Sequence, residues 1–335
     1  MPVDRSPPSV AIVIPYYQRV PGILRACLAS VLHQEGDFDL RIYVIDDGSP
    51  ISAAEELSDL SPRSVASVTV IRQQNSGPGA ARNRALNAIP VTTTYIALLD
   101  SDDSWERGFL STALKSLETD ADVFFSNTRR FSQPESRFDW TDSSGAALNL
   151  SEHRFVDAPT AHYRFSGDFF DFALKRSNII STSSLVYRRS IAPDLRFDDS
   201  LYNGQDRLFK LELVRKTNRI SFSSDTLCTE GEGVNIFDSA VWGSSKAVKR
   251  AASYVMLNRR ILQKLQLTNE QRYAVTQTLF QHRKDLVAAL LSSLRKRKAP
   301  VSEILEVLRH TDIATLAMTP FLVAYLAIQR YGQRS

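Results

Sequence analysis

Residues 98–105 read LLDSDDSW, which crowds Asp100, Asp102 and Asp103 into four positions behind an apolar run. Adjacent carboxylates at a strand end repel one another, and solvent or a cation has to relieve that repulsion. A hard divalent ion with oxygen ligands would do so. The Asp100-x-Asp102 spacing sets both carboxylates on one side of an extended chain. Three more polar clusters precede this one: PYYQR at 15–19, DDGS at 46–49 and RQQNSGPGAARN at 72–83. Taken singly they are ordinary. DDGS has the composition of a turn, and NSGPGAARN that of a helix start with Ser76 as its cap.

The elements that must carry these clusters alternate. Apolar runs at Val10 to Ile14, Leu40 to Ile45, Val68 to Ile71 and Tyr95 to Leu99 read as strands, and Ile23 to Leu32 has helical periodicity. Strands separated by helices of this length predict parallel βαβ units. Every polar cluster then falls at the carboxyl end of a strand, where open parallel sheets bind ligands. Four clusters in one unit therefore predict a single site.

Composition bounds the rest. With 335 residues, 43% hydrophobic and 23% charged, the chain has ordinary globular make-up and a sizeable core. A net charge of +4, from 41 basic and 37 acidic residues, is too weak a surplus to imply nucleic acid as a partner. Cys27 and Cys228 are the only cysteines, so the sequence carries neither a disulfide framework nor a cysteine zinc site and fits a reducing compartment. No apolar leader is visible in MPVDRSPPSV, and the expected location is the cytoplasm.

The order VIPYYQR, VIDDGS, NSGPGAARN, LLDSDD across residues 10–105 resembles the family 2 glycosyltransferases of the GT-A fold. Gln18 stands where Asn is commoner in that family, and Tyr16 where a small residue often sits. The resemblance implies an α/β fold, Rossmann-like with a mainly parallel sheet flanked by helices, and a nucleotide-diphosphate sugar as donor. It implies that Pro15 and Tyr17 shape the base pocket, with Tyr17 against the ring. Asp47 would accept from a pyrimidine N–H, which favours uracil. Arg82 would reach the nucleotide, Asp100 would meet the ribose and help hold the metal, and Asp102 would ligate Mg²⁺ or Mn²⁺ bridging the two phosphates.

A sugar transferase also needs a base for the acceptor hydroxyl. Residues 181–216 read as a β-like segment, a loop and then a helix with Leu208, Leu211 and Val214 at helical spacing. GQD at 204–206 occupies the place of the family's Glu-Asp pair, so the resemblance makes Asp206 the base. Asp198 and Asp199 are rivals, and an acid in the first helical turn also has a plain dipole explanation. With one base and no positioned carboxylate nucleophile, the transfer should invert the anomeric centre. The aromatic and polar segment 127–180, with Trp140, His153, His162, Tyr163 and Phe169, either shapes the acceptor site or is a surface insertion. CTEGEGVNIF at 228–237 is either a loop that folds over the diphosphate or an ordinary connection.

Within the family, VIPYYQR with GEGVNIF is most similar to the β-glucosyltransferases of succinoglycan-type exopolysaccharides. That implies UDP-glucose as donor and a polyprenyl-diphosphate oligosaccharide as acceptor. A nucleotidyltransferase would want a glycine- and basic-rich phosphate loop after the first strand, where PYYQR stands. A non-catalytic nucleotide-sugar module would need no base.

The domain reading is a glycosyltransferase domain over 1–243, divided at 105/106 into a nucleotide-sugar half and an acceptor half, followed by a helical region over 244–335. There RKRK lies at 295–298, and Ile313 to Ile328 holds sixteen residues without a charge, interrupted by Pro320. That is short of the roughly 20 residues a spanning helix needs. The region is either a helical cap or a peripheral contact with the cytoplasmic face of the inner membrane.

Overall fold

The computed structural model describes residues 6–58, 67–139, 148–176, 179–232, 244–295 and 311–332. The chain divides into two compact units: Met1–Asp199 with Phe209–Val234, and Ser200–Leu208 with Asn235–Ser335.

The first unit is built on one ten-stranded sheet. Its opening strands are β1 (Ser9–Tyr16), β2 (Asp39–Asp46), β3 (Val68–Arg72) and β4 (Tyr95–Leu98). They lie in the order β3-β2-β1-β4 and every pairing among them is parallel. The connecting helices α1 (Ile23–Leu32), α2 (Ala53–Leu57) and α3 (Pro78–Ala88) supply the crossovers that parallel pairing requires. Side chains alternate across a strand, so Val10, Ile12, Ile14 and Tyr16 of β1 share one face. That face packs with Leu24, Cys27, Leu28 and Val31 of α1, at i, i+3, i+4 and i+7, and all eight are at most 1% exposed.

The sheet continues through β5 (Ser104–Trp105), β6 (Val123–Arg130), β7 (Arg154–Asp157), β8 (His162–Arg164), β9 (Leu185–Arg188) and β10 (Ile220–Glu230). β9 runs antiparallel between β4 and β6, which joins the parallel half to a mixed half ordered β9-β6-β10-β8-β7. β5 is a short antiparallel partner of β10. Helix α4 (Phe109–Thr119) buries Phe109, Leu110, Ala113, Leu114 and Leu117 in the same core as α1. The mixed half is filled by aromatic rings: Phe222 stacks on Phe125 at 5.6 Å and on Tyr163 at 5.3 Å. A short helix α5 (Phe169–Lys175) adds Phe169 to that cluster. Helix α6 (Gln205–Val214) begins in the second unit and ends in the first, with Leu208, Leu211 and Val214 buried as their spacing predicts.

In the second unit, α7 (Ser245–Lys264) and α8 (Asn269–Arg295) pack through Val248, Ala252 and Val255 against Leu279, Leu286, Ala289 and Leu290. Helix α9 (Ile313–Gly332) follows the buried Asp312. Burial alone would raise that carboxyl, but bonds from Thr315 and Arg283 and the charge of Arg259 hold it below its ordinary value. The interruption expected at Pro320 does not occur, and α9 runs through it. A proline removes one N–H and crowds one carbonyl, which a long helix can absorb as a bend. No helix among the described residues is long and apolar enough to cross a membrane. Of RKRK, only Arg295 lies within the described residues.

Candidate active site

The strand order β2-β1-β4 brings the ends PYYQR, DDGS and DSDD together at one edge of the first unit, with the loop after β3 beside them.

At the end of β2 the two aspartates divide the work. Asp46 is buried and folds its own turn: Oδ1 accepts from Ser49 N at 2.8 Å and Oδ2 from Ala53 N, at the start of α2, at 3.0 Å. Gly48 closes that turn at φ +68°, and a Cβ there would lie 3.1 Å from the backbone N of Asn75. Asp47 reaches the other way. Its Oδ1 accepts from Gln73 Nε2 and Ser76 N, and its Oδ2 from Gly77 N, each at 2.8 Å. A carboxylate has about four acceptor positions, so about one remains for a base N–H. The loop that leads into α3 is thus hung on Asp47. The helix cap is Gly77 with Pro78 behind it, rather than Ser76, whose hydroxyl donates to Gln74 O at 2.9 Å.

At the end of β1, Pro15 and Tyr16 are buried and Tyr17 is half-buried. Burial pushes the Tyr16 hydroxyl up to about 12. Gln18, a departure from the commoner Asn, is a bridge. Its backbone exchanges bonds with Ser49 Oγ at 2.9 and 3.0 Å, and its Nε2 donates to Ser101 Oγ at 3.2 Å. Gln18 Oε1 is buried with no partner among the described residues.

The acidic loop after β4 sorts its three carboxylates. Asp100, with 35% of its side chain exposed, pairs through Oδ1 with Arg82 Nη2. Arg82 is 4% exposed, lies with its guanidinium 5.3 Å from the Phe197 ring, and has Nε and Nη1 buried without partners among the described residues. Asp102 is half-buried at the rim. Asp103 turns inward, where Oδ2 accepts from Ser183 Oγ and Oδ1 from Gly231 N at 3.0 Å. Burial, and then the charges of Asp102 and Asp100, push its carboxyl well above the ordinary range. Gly231 has no room for a side chain, because a Cβ would sit 1.9 Å from Asp102 O. Of the segment 228–237, the residues after Glu232 lie outside the described residues.

Asp206 stands half-buried in the first turn of α6, and its N–H bonds the side chain of the preceding, buried Gln205. Asp198 is half-buried and Asp199 exposed. The structure therefore gathers Pro15, Tyr17, Asp47, Arg82, Asp100 and Asp102 in the first unit, while Asp206 belongs to the second. In the 127–180 segment, Trp140 lies outside the described residues, the His153 ring lies tilted against Phe165 with centroids 4.3 Å apart, and His162 is buried in β8 with its pKa lowered by burial. His153 thus belongs to the aromatic core, while His162 has its Nε2 buried with no partner among the described residues.

Residues 11–192 match the glycosyl transferase family 2 profile. The succinoglycan biosynthesis protein ExoW of Rhizobium meliloti strain 1021 is 35% identical over 235 residues, 69% of this chain and 71% of that protein. Among solved structures, residues 1–349 of S. aureus TarS in complex with UDP-GlcNAc align with a TM-score of 0.56 at 17% identity, covering 96% of this chain and 87% of that one. The mannosyltransferase PcManGT of Pyrobaculum calidifontis, in complex with GDP-Man and Mn²⁺, aligns at 0.50 and 15% identity over 98% of this chain and 85% of its own. At such identities the solved structures speak for the fold. The family profile, the relative and the fold agree: this chain belongs to glycosyl transferase family 2 and is a glycosyltransferase of the GT-A fold.

Proposed function

We propose that the protein is an inverting hexosyltransferase that moves glucose from UDP-glucose onto a polyprenyl-diphosphate oligosaccharide during assembly of a bacterial exopolysaccharide. The observation that carries the reading is the meeting of Asp47, Arg82, Asp100 and Asp102 at one sheet edge. Uridine fits the acceptor position left on Asp47, with Tyr17 and Pro15 beside the ring, and the UDP-GlcNAc held by TarS supports a uridine nucleotide. The two unpartnered nitrogens of Arg82 offer donors to the nucleotide. The succinoglycan relative supports polysaccharide assembly and hence a lipid-linked acceptor.

The donor set suits a divalent cation. Asp103 is bonded inside the protein, and Asp100 and Asp102, both partly exposed, are the carboxylates that would hold Mg²⁺ or Mn²⁺. Both are hard oxygen ligands of the kind these ions take. Among the described residues no group of three or more His, Cys, Asp or Glu is arranged to hold a metal alone. Two protein ligands are what a diphosphate-completed site requires. When bound, the cation supplies neutralisation of the departing diphosphate. Mn²⁺ beside GDP-Man in PcManGT supports the assignment.

Asp206 takes the acceptor proton, and the acceptor oxygen displaces UDP in one step, so an α-linked donor gives a β-linked product. A lipid-linked acceptor places the enzyme on the cytoplasmic face of the membrane. Exposed Ile313, Leu316 and Phe321 on α9 support peripheral contact there.

The test pairs a binding measurement with a rate. Asp206→Asn should keep UDP affinity by calorimetry and lose about a hundred- to ten-thousandfold in UDP release from UDP-glucose with acceptor present. A near-normal rate gives the role to Asp198 or Asp199. An α-linked product by anomeric-proton NMR rules out single displacement, and release only from another nucleotide sugar reassigns the donor.

A further inference from the structure

The acidic loop has a support that the family motifs do not contain. β9 pairs antiparallel with β4 in the register Tyr95↔Arg188, Ile96↔Tyr187, Ala97↔Val186. Carried three residues further, that register sets Asp100 opposite Ser183, in the short turn 182–184 that precedes β9. The contacts follow. Ser183 Oγ accepts from Asp100 N at 3.0 Å and donates to Asp103 Oδ2. Its carbonyl accepts from Trp105 Nε1 at 2.6 Å. One residue, 0% exposed, thus meets the loop at its first aspartate, at its last, and at the tryptophan behind them.

A hydroxyl has one proton, so these two bonds fix its direction. With the proton given to Asp103, its lone pairs are left for the N–H of Asp100. Losing the hydroxyl would release both contacts at once and leave a buried Asp103 oxygen and a half-buried N–H without these partners, which is costlier than losing a surface bond. Asp103 in turn holds Gly231 N at 3.0 Å, and Gly231 lies against Asp102 O. The anchoring turn is itself held, because Ser181 Oγ donates to Glu230 Oε1 at 2.6 Å. The backbone that carries Asp100 and Asp102 is therefore set by an element more than 80 residues away in sequence.

We propose that Ser183 is a positioning residue for the metal-binding loop: it orients Asp100 and, through Asp103 and Gly231, Asp102, so that the two carboxylates present themselves together to a divalent cation. The proposal rests on the reading of Asp100 and Asp102 as the metal ligands. A group held in place beforehand binds its ligand without the cost of ordering it, so loosening the loop should weaken metal binding more than nucleotide binding.

The experiment uses the full chain with Mn²⁺ and UDP as probes. Mn²⁺ affinity is read by electron paramagnetic resonance in the presence of UDP, UDP affinity by calorimetry in chelator, and folding by thermal melting. Ser183→Ala should weaken Mn²⁺ binding about tenfold or more and change UDP affinity in chelator by less than about threefold. Ser183→Thr, which keeps the hydroxyl, should recover most of the Mn²⁺ affinity. Ser223→Ala is the control, since Ser223 is equally buried and its hydroxyl donates to Thr160 O at 2.7 Å, away from the loop. It should lower the melting temperature and leave Mn²⁺ affinity unchanged. If Ser183→Ala and Ser223→Ala lower melting alike and neither moves Mn²⁺ affinity, Ser183 is a structural hydrogen bond only and the proposal fails. A parent protein that binds no Mn²⁺ with UDP overturns the metal reading itself, a separate result visible before any variant is made.

Discussion

Two acidic strand ends, Asp46-Asp47 after β2 and Asp100 to Asp103 after β4, resemble each other in sequence and are held in place by opposite means. The first is held by its surroundings in the parallel half: Ser49, Ala53, Gln73, Ser76 and Gly77 all lie within 30 residues of the aspartate they serve and donate from neutral amides, and the exposed Arg72 adds a charge 3.8 Å from Asp46 Oδ2. The second is held mostly from afar. Gln18, Ser183 and Gly231 reach it from 80 or more residues away, while Arg82, 18 residues away, meets Asp100 with a full charge. A locally satisfied turn is a frame, and its carboxylates are mostly used up. The loop with distant partners turns Asp103 inward and keeps Asp100 and Asp102 partly exposed, and its shape depends on the mixed half of the sheet. The difference makes Asp46 part of the frame, and it agrees with the proposal that gives the nucleotide to Asp47 and the metal to Asp100 and Asp102.

The largest expected effect attacks the rim. Asp102→Asn should lower transfer by roughly a thousandfold, since metal stabilisation of the leaving group is worth several kcal/mol and each 1.36 kcal/mol is tenfold. The metal-free protein should melt no lower than the parent, because the change removes one of three mutually repelling carboxylates. A clear drop in melting temperature would mean that Asp102 is part of the frame and that the comparison is drawn in the wrong place.

The next effect reaches the distant support. Glu230 would be raised by burial alone, but Arg137, Ser181 and Arg130 hold its carboxyl below its ordinary 4.5. A carboxyl lowered by folding adds stability above 4.5 that is lost as pH falls through the folded value. Glu230→Gln removes the carboxylate paired with the buried Arg137, so at pH 7 it should cost about 3 kcal/mol. The gap in melting temperature between variant and parent should narrow below pH 4.5, where the parent carboxyl protonates. A gap that is constant from pH 7 to pH 3 would show that charge plays no part in holding the strand that leads to Gly231.

This contrast also explains what the sequence could disclose. Parallel strands with short crossovers show as apolar runs with turn residues behind them, so β1 to β4 and their polar ends are legible, and local partners put Asp47 with the loop it supports. Ser183 is one serine in STSS, and nothing in that string distinguishes it. Its role follows from the β4–β9 register, which joins positions 83 apart and leaves no periodic trace. Gly231 is one glycine in CTEGEG, and its reason, contact with Asp102 O, is purely spatial. Gln18 was visible only as a departure, and its bond to Ser101 needed the fold.

The smallest expected effect sharpens the comparison from the local side. Asn at position 47 keeps one oxygen, which can serve Gln73 Nε2 and Ser76 N, but its amide then points an N–H at the N–H of Gly77. One neutral donor is left unmet, at a cost of about 1–2 kcal/mol. For a unit of this size that is a fall in melting temperature of roughly 2–8 °C. The charge lost is not balanced against a buried arginine, so the cost stays below that of Glu230→Gln. Because the same loop borders the nucleotide, UDP affinity in chelator should fall together with the melting temperature, while Mn²⁺ affinity measured at saturating UDP stays near the parent value. Loss of UDP affinity with melting unchanged would make Asp47 a direct contact to the base with no part in the frame, and loss of Mn²⁺ affinity would mean that the two strand ends act as one.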